Sequence, residues 1–485
     1  MDMGHRMVFM PEEHRPLVTA LKARLEREPV EMVRLAWADP HGASRAKALS
    51  LPVFLDALEH GYNIGVATTT LDSAGARVFR SFTRGGGMDL PEMTGSPNLV
   101  VRPDPATFRV LPWEPRVGWV LCDEYFRDGT PFHFSPRHVL RKQVQRLAKR
   151  RLMVGLEVEW YLARVAEERL SEEHVGIPGV RGRAIRTFPI EPGYSYHSET
   201  NLDIMQPVLG ELARAYSALG LPLRSIENEW GPGQVECTFS AQDALRTADD
   251  LVLFRTATRQ MCRRLGCLAT FMARPALKGY YASGWHLHQS LADETGRNLF
   301  AGGELLSPLG QSYLGGLLEH AAASTVFATP TVNGYRRYKP NSLAPDRAGW
   351  GFDNRGAMVR VIGGSDDPGT RLENRLGEPA ANPYLYIASQ IVAGLDGIER
   401  NLKPGARDDE PYAADRPPLP TSLGQALDAL DASRLYRRQL GDVFVDYYLA
   451  LKRSELGRYR KWVEENRVSE AEPTQWEQDE YFDFF

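Results

Sequence analysis

The chain has 485 residues, 43% hydrophobic and 25% charged, a balance that excludes an intrinsically disordered protein. Lys plus Arg number 58 and Asp plus Glu 62, a formal charge of −4, which argues against a broad nucleic-acid-binding face. Cys122, Cys237, Cys262 and Cys267 show no CxxC spacing, so neither a zinc ribbon nor a redox dithiol is indicated. Few thiols, no apolar leader core at the start and no run of 18 apolar residues point to a cytoplasmic protein with no membrane segment.

Leu17, Leu21 and Leu25 predict a helix over 15–30. Met32 to Trp37 reads as a strand, and Asp39 to Gly42 as a turn. Short β-like runs fill 61–122, and the last, Trp119 to Cys122, precedes an Asp128-Gly129 turn signal. Ser135 and Pro136 open a helix as N-cap and first-turn residue, and a domain boundary is placed just before them. Residues 165–200 show no firm periodicity. Further helices are predicted at 202–219, 241–266, 305–324, 380–399 and 422–461, and Pro383 to Leu395 reads as a buried core segment.

Four segments carry chemistry. In Gly155 to Leu162, read as a strand, Glu157 and Glu159 project from one face. Adjacent carboxylates stay ionised only beside a cation, although a solvated strand edge has the same pattern. Ile226 to Glu236 sets Glu227, Glu229 and Glu236 around a Gly-Pro-Gly turn that could fold Glu229 and Glu236 toward one point; an acidic surface hairpin is the alternative. In Ser283 to Ser290, His286 and His288 share a strand face, as metal ligands or as satisfied core histidines. Between Asn333 and Arg375 lie seven arginines, with Arg371, Glu373 and Arg375 alternating on one face. Guanidinium forks suit carboxylates and phosphates, and the interleaved apolar residues suggest a lined cavity. Many carboxylates, histidine and arginine together suit phosphoryl transfer assisted by more than one divalent ion. GxxxxGK[ST], HExxH and GxSxG are all absent.

In this order the segments resemble the glutamine synthetase family. They match its G-x-E-x-E strand at Gly155–Glu159, its E-x-x-P-G-Q-x-E loop at Glu229–Glu236, and its G-x-H-x-H strand at Gly284–His288. They also match N-x-Y-x-R at Asn333–Arg337, N-R at Asn354-Arg355 with Arg360, and R-x-E-x-R at Arg371–Arg375 followed by Asn382-Pro383-Tyr384. The resemblance implies an α+β protein with a small N-terminal β-grasp domain (28–126) and a large C-terminal catalytic α/β domain (134–485). It implies a homo-oligomer, a dodecamer of two hexameric rings. The implied reaction is ATP-dependent activation of glutamate as γ-glutamyl phosphate, followed by attack of a nitrogen nucleophile. It further implies that Glu159, Glu229 and Glu236 hold one Mg²⁺ or Mn²⁺, and that Glu157, His286 and Glu373 hold another. By the same resemblance Arg337 and Arg375 bind glutamate, Arg355 and Arg360 face the ATP phosphates and the acyl phosphate, and His288 and Ser290 lie along the nucleotide.

The sequence departs from the family at three places. The flap glutamate of ammonia-using members is replaced by Leu343, which neither attracts a cation nor accepts a proton. The early Asp-Gly-Ser-Ser motif is missing, and Asp72 is the candidate substitute. Tyr281-Ala282 stands where the family has an Asn-Gly pair that touches glutamate. These departures favour an organic amine over ammonia. An alkylamine, with a pKa of about 10, arrives protonated and needs a base, whereas an aromatic amine is already neutral. Leu343, Tyr281, Trp285 and Trp230 suit an apolar or aromatic amine such as aniline. Ammonia, or a polyamine met by Glu227, is the alternative. A catalytically silent relative and a carboxylate kinase for another acid are less favoured, because all six ligand positions and both glutamate arginines are present.

Overall fold

In the computed structural model the described residues are 11–485 except 168 and 366, with no side chain at 13. The first ten residues, part of the leader reading, lie outside the described residues. The chain opens with α1 (Arg15–Leu25), β1 (Met32–Ala38), β2 (Ser44–Ser50), α2 (Leu51–His60), β3 (Tyr62–Gly65), β4 (Asn98–Pro103), β5 (Arg109–Leu111) and β6 (Glu114–Tyr125). These strands form one sheet in the order β2-β1-β6-β4-β3, with β5 added on β6. β1 and β6 run parallel at its centre, and the other pairs are antiparallel.

Next come α3 (Pro136–Gln145), β7 (Arg151–Val165), β8 (Thr187–Pro189), α4 (Glu199–Leu219), β9 (Leu223–Asn228), β10 (Gln234–Asp243), α5 (Ala244–Arg264), β11 (Cys267–Thr270) and β12 (Trp285–Ala292). They are followed by α6 (Pro308–Glu319), α7 (Ala321–Ala328), β13 (Trp350–Phe352), β14 (Val359–Ile362), β15 (Arg371–Gly377) and α8 (Pro383–Glu399). The last helices are α9 (Leu423–Asp431), α10 (Arg434–Leu440), α11 (Asp442–Asn466) and α12 (Gln475–Tyr481). The second sheet runs β13-β14-β15-β12-β7-β10-β9, with β8 and β11 on the far end of β7.

Period-two alternation gives this second sheet two unlike faces. Leu156, Val158 and Trp160 on β7, Val235 and Cys237 on β10, Trp285 and Leu287 on β12, and Leu372 and Leu376 on β15 are buried in the core. α5 covers this apolar side: Phe254 meets Phe239 and Phe271 edge-on at 5.0 and 5.7 Å. The predicted core segment is the buried heart of α8. The intervening residues Glu157, Glu159, Glu236, His286, His288, Glu373 and Arg375 fall on the opposite face.

Two predicted helices are broken. The 305–324 segment is α6 and α7, separated at His320. The 422–461 segment is three helices, because Ser433 caps α10 by accepting from Tyr436 N and Gly441 adopts a φ of +94°. α2 and α12 were not predicted. Among the described residues no helix is long and apolar enough to cross a membrane.

One buried acid makes the fold pH-sensitive. Glu124 on β6 is 1% exposed and its Oε1 has no partner. Burial, reinforced by Asp123 and Asp39, pushes its carboxyl up to about 8. The folded chain therefore keeps a proton that the unfolded chain has lost, so stability falls as pH rises from about 5 to 8. Thermal melts of Glu124→Gln across this range should show a flatter profile than the parent. At pH 8 the variant should be more stable by on the order of a few kcal/mol.

Candidate active site

The charged face of the second sheet gathers acids from β15, β7 and β10 and histidines from β12, four neighbouring strands. Strand register sets His286 opposite Glu157, Glu236 opposite Glu159, and His288 and Arg360 each opposite Glu373. His286 Nδ1 lies 2.8 Å from Glu157 Oε1 and 3.8 Å from Glu373 Oε1, and its Nε2 lies 3.9 Å from Glu159 Oε1. Glu157, His286 and Glu373 offer ligand atoms within 4.8 Å of one another, as do Glu159, Glu236 and His286. Glu229, expected in the second set, lies outside this spacing; His286 serves both groups instead.

Arginines close one side. Arg375 ion-pairs with Glu373, and Arg360 Nη1 donates to Glu373 Oε2 at 3.0 Å while also pairing with Asp353. Arg337 is buried and donates to the Leu376 carbonyl at 2.9 Å. A side chain at Gly284 would stand 2.7 Å from Arg337 Nη2, 3.0 Å from His286 Nε2 and 3.4 Å from Glu159 Oε1. The glycine thus keeps open the space among these three groups. Arg371 Nε lies 3.1 Å from His288 Nδ1, and His288 Nε2 lies 3.0 Å from Glu157 Oε2. Ser290, half-buried, continues the His286–His288 face. Gln234 orients Glu159, donating to its Oε2 and to Ser283 Oγ at 3.0 Å each.

The acids divide electrostatically. Burial opposes ionisation of Glu157, but His286 and His288 outweigh it and hold its carboxyl well below the usual range. Burial likewise opposes Glu373, and Arg375, His286 and His288 hold its carboxyl low. Glu159, Glu229 and Glu236 go the other way. Burial raises all three, and neighbouring carboxylates push Glu229 and Glu236 further up. Three buried acids with too little positive charge are a donor set that fits divalent cations, and the oxygen-rich ligands suit hard ions.

The approach to this cluster is aromatic. Trp230, beside Glu229, stacks on Tyr196 with centroids 5.3 Å apart, and Tyr196 stacks on His197 at 3.9 Å. Tyr281 meets Tyr194 at 6.2 Å. Tyr194, Tyr196, Trp230 and Tyr281 are all exposed. The exposed Arg355 lies close enough to Tyr196 to act on its hydroxyl electrostatically. Ala282, half-buried, accepts from Gln234 through its carbonyl at 3.4 Å. Leu343 is 54% exposed with a φ of +61°, and its carbonyl accepts from Arg375 Nη2 at 3.3 Å.

Three expectations do not match these placements. Asp72 is buried, and its carboxylate accepts from Ala74 N, Ala76 N, Ser454 Oγ and Arg458 Nε within this chain, so it is a structural anchor rather than a free acid. Trp285 is fully buried against Tyr386 on the apolar side of the sheet and does not line the entrance. Glu227, expected to be free for a polyamine, accepts from Ser225 Oγ and lies 3.1 Å from His197 Nε2. Tyr194 and Tyr196 were missed because they sit in the 165–200 segment, where no periodicity marks them. Gln234 stood inside the matched loop motif without a role.

Residues 133–471 match the family model described as glutamine synthetase, catalytic domain. The chain is 45% identical to the gamma-glutamylanilide synthase of an Acinetobacter species over 97% of its length and 96% of the relative's. It is 31% identical to the gamma-glutamylethanolamide synthetase of Streptomyces coelicolor, over 91% and 92% of the two chains. The solved structure of GmaS with ADP superposes with a TM-score of 0.76 at 29% identity, covering 92% of this chain and 98% of that one. The chain belongs to the glutamine synthetase family of ligases.

Proposed function

We propose that the protein is an ATP-dependent ligase that joins the γ-carboxyl of glutamate to an organic amine, with an aromatic amine such as aniline favoured. The observation that carries this reading is an acid-rich, arginine-flanked cluster whose approach is aromatic and apolar. The 45% identity, over 97% of the chain, to a relative named for γ-glutamylanilide synthesis supports the same substrate class. Mg²⁺ or Mn²⁺, held by Glu157, Glu159, Glu236, His286 and Glu373 with Glu229 alongside, would neutralise charge on the transferring phosphoryl group.

Arg337 and Arg375 supply the positive charge that holds the glutamate carboxylates. A γ-carboxylate oxygen bonds to the terminal phosphorus of ATP as the bond to ADP breaks. Arg355 and Arg360 steady the charge on the phosphate oxygens, and His288 and Ser290 lie along the nucleotide. The amine nitrogen then attacks the acyl carbon, phosphate leaves, and the nitrogen loses a proton. An aromatic amine reaches this step already neutral, so Leu343 is no handicap, and a flat ring suits the Tyr196–Trp230 stack. In this reading residues 28–126 and 134–485 are the two domains, and the functional unit is a homo-oligomer, a dodecamer of two hexameric rings.

The test is phosphate release with glutamate, ATP and Mg²⁺ against ammonium, ethanolamine, putrescine, isopropylamine and aniline. Aniline should give the highest kcat/KM. Turnover with ammonium alone would defeat the proposal. Trp230→Ala should raise the KM for aniline by about tenfold and leave that for ATP unchanged.

A further inference from the structure

Beside α5 and the edge strand β11, a cavity of about 630 Å³ opens between the β1–β2 hairpin, α5 and residues 483–485. Six arginines line it: Arg34, Arg45, Arg255, Arg259, Arg263 and Arg264. Asp39 pairs with Arg45 at 2.7 Å, Asp483 with Arg263 at 2.9 Å, and Glu114 with Arg264 at 3.3 Å. Arg34, Arg255 and Arg259 have no carboxylate partner among the described residues. Arg34 donates to Gln260 Oε1 at 2.9 Å, and Arg259 donates to the Phe484 carbonyl at 2.7 Å.

Arg255 is the most informative of these. It is 7% exposed, and its Nε and Nη1 have no hydrogen-bond partner. Burial, reinforced by the neighbouring Arg259 and only partly offset by Glu378, pulls its pKa down to about 9. A buried charge that makes no ion pair is unfavourable in a fold, and Arg255, whose guanidinium lies over the rings of Phe271 and Trp285 at 5.7 and 5.8 Å, adds positive charge to the cavity wall.

We propose that this cavity is a binding site, separate from the catalytic cluster, for a small organic anion with at least two negative charges, carried on carboxylate or phosphate groups. The volume lies in the range of small-molecule sites and exceeds what one inorganic ion fills. Guanidinium forks match both anion types. Trp119 and Phe484 give the cavity apolar wall, so a carbon skeleton is accommodated as well as its charges. Arg255 also links the cavity to the catalytic strands. It donates to the carbonyls of Pro379 and Ala381, just beyond β15, and lies 5.8 Å over the ring of Trp285, the neighbour of His286. An anion bound there bears on the strands that carry Glu373 and His286, so the site is that of an effector.

The test is isothermal titration of the purified full chain, without metal and at constant ionic strength, with citrate as the polycarboxylate probe and pyrophosphate as the phosphate probe. One of the two should bind saturably at one site per chain. Arg259→Gln and Arg34→Gln should each weaken that binding by about tenfold or more. Glu373→Gln, in the catalytic cluster, should leave it unchanged. Removing an unpaired charge should leave the ligand-free melting temperature of the arginine variants equal or higher, which guards against misfolding. No saturable binding of either probe would overturn the proposal. So would binding lost in Glu373→Gln but retained in Arg259→Gln. Since no turnover is read, the outcome does not depend on the amine-ligase reading.

Discussion

Glu373→Gln is expected to lower turnover by about 10³-fold or more and to weaken divalent-ion binding. Glu373 is fully buried and is shared by His286, Arg360 and Arg375. Glutamine has the same shape but offers one neutral carbonyl oxygen where the acid offers two charged ones. The change also leaves the buried Arg375 guanidinium short of a counter-charge, which costs about 3–5 kcal/mol, whereas Arg360 keeps Asp353. A melting temperature that falls with activity is therefore expected for this variant. Glu157→Gln separates the two effects, because Glu157 touches His286 and His288 but no arginine. It should lose comparable turnover with less loss of stability. Initial rates at saturating Mg²⁺, with a metal titration of each variant, check both. Activity within tenfold of the parent in Glu157→Gln would mean that the cluster does not serve the reaction.

Leu343→Glu is expected to shift the preference between amines. A carboxylate in this loop would attract protonated amines and accept their proton, neither of which leucine can do. The ratio of kcat/KM for ammonium over aniline should rise by on the order of ten- to a hundredfold. The loop already touches the arginines of the proposed glutamate site. Ser342 Oγ donates to the Arg337 carbonyl at 3.0 Å, and the Leu343 carbonyl accepts from Arg375. An unchanged ratio would mean that this loop does not line the path of the amine.

Much of the site was legible because its signals are local. Glu157 and Glu159, His286 and His288, and Arg371, Glu373 and Arg375 are two residues apart on strands, so each set had to share a face. What joins the sets is register between strands distant in sequence, and no local pattern specifies that. The same limit explains why the motif did not show that His286 shares the close spacing of Glu159 and Glu236. Position along a motif also says nothing of which way a side chain points. Trp285 alternates with His286 and so turns into the core, whereas Trp230, in a turn, stays exposed. Asp72 is fixed by Arg458, nearly four hundred residues away in the chain, and only the folded structure reveals that bond. The break at Gly441 was legible in principle. Hydrophobic spacing that continues across a glycine outweighed the glycine itself, although a φ of +94° is one that leucine or alanine rarely adopts.

The most direct test of the account follows an oxygen atom. Glutamate with a heavy-oxygen-labelled γ-carboxylate is incubated with enzyme, ATP, Mg²⁺ and aniline, and the released phosphate is analysed by mass spectrometry. Activation as an acyl phosphate predicts one labelled oxygen in the phosphate for each amide formed, at a rate that depends on aniline. Amide formed with unlabelled phosphate would contradict it.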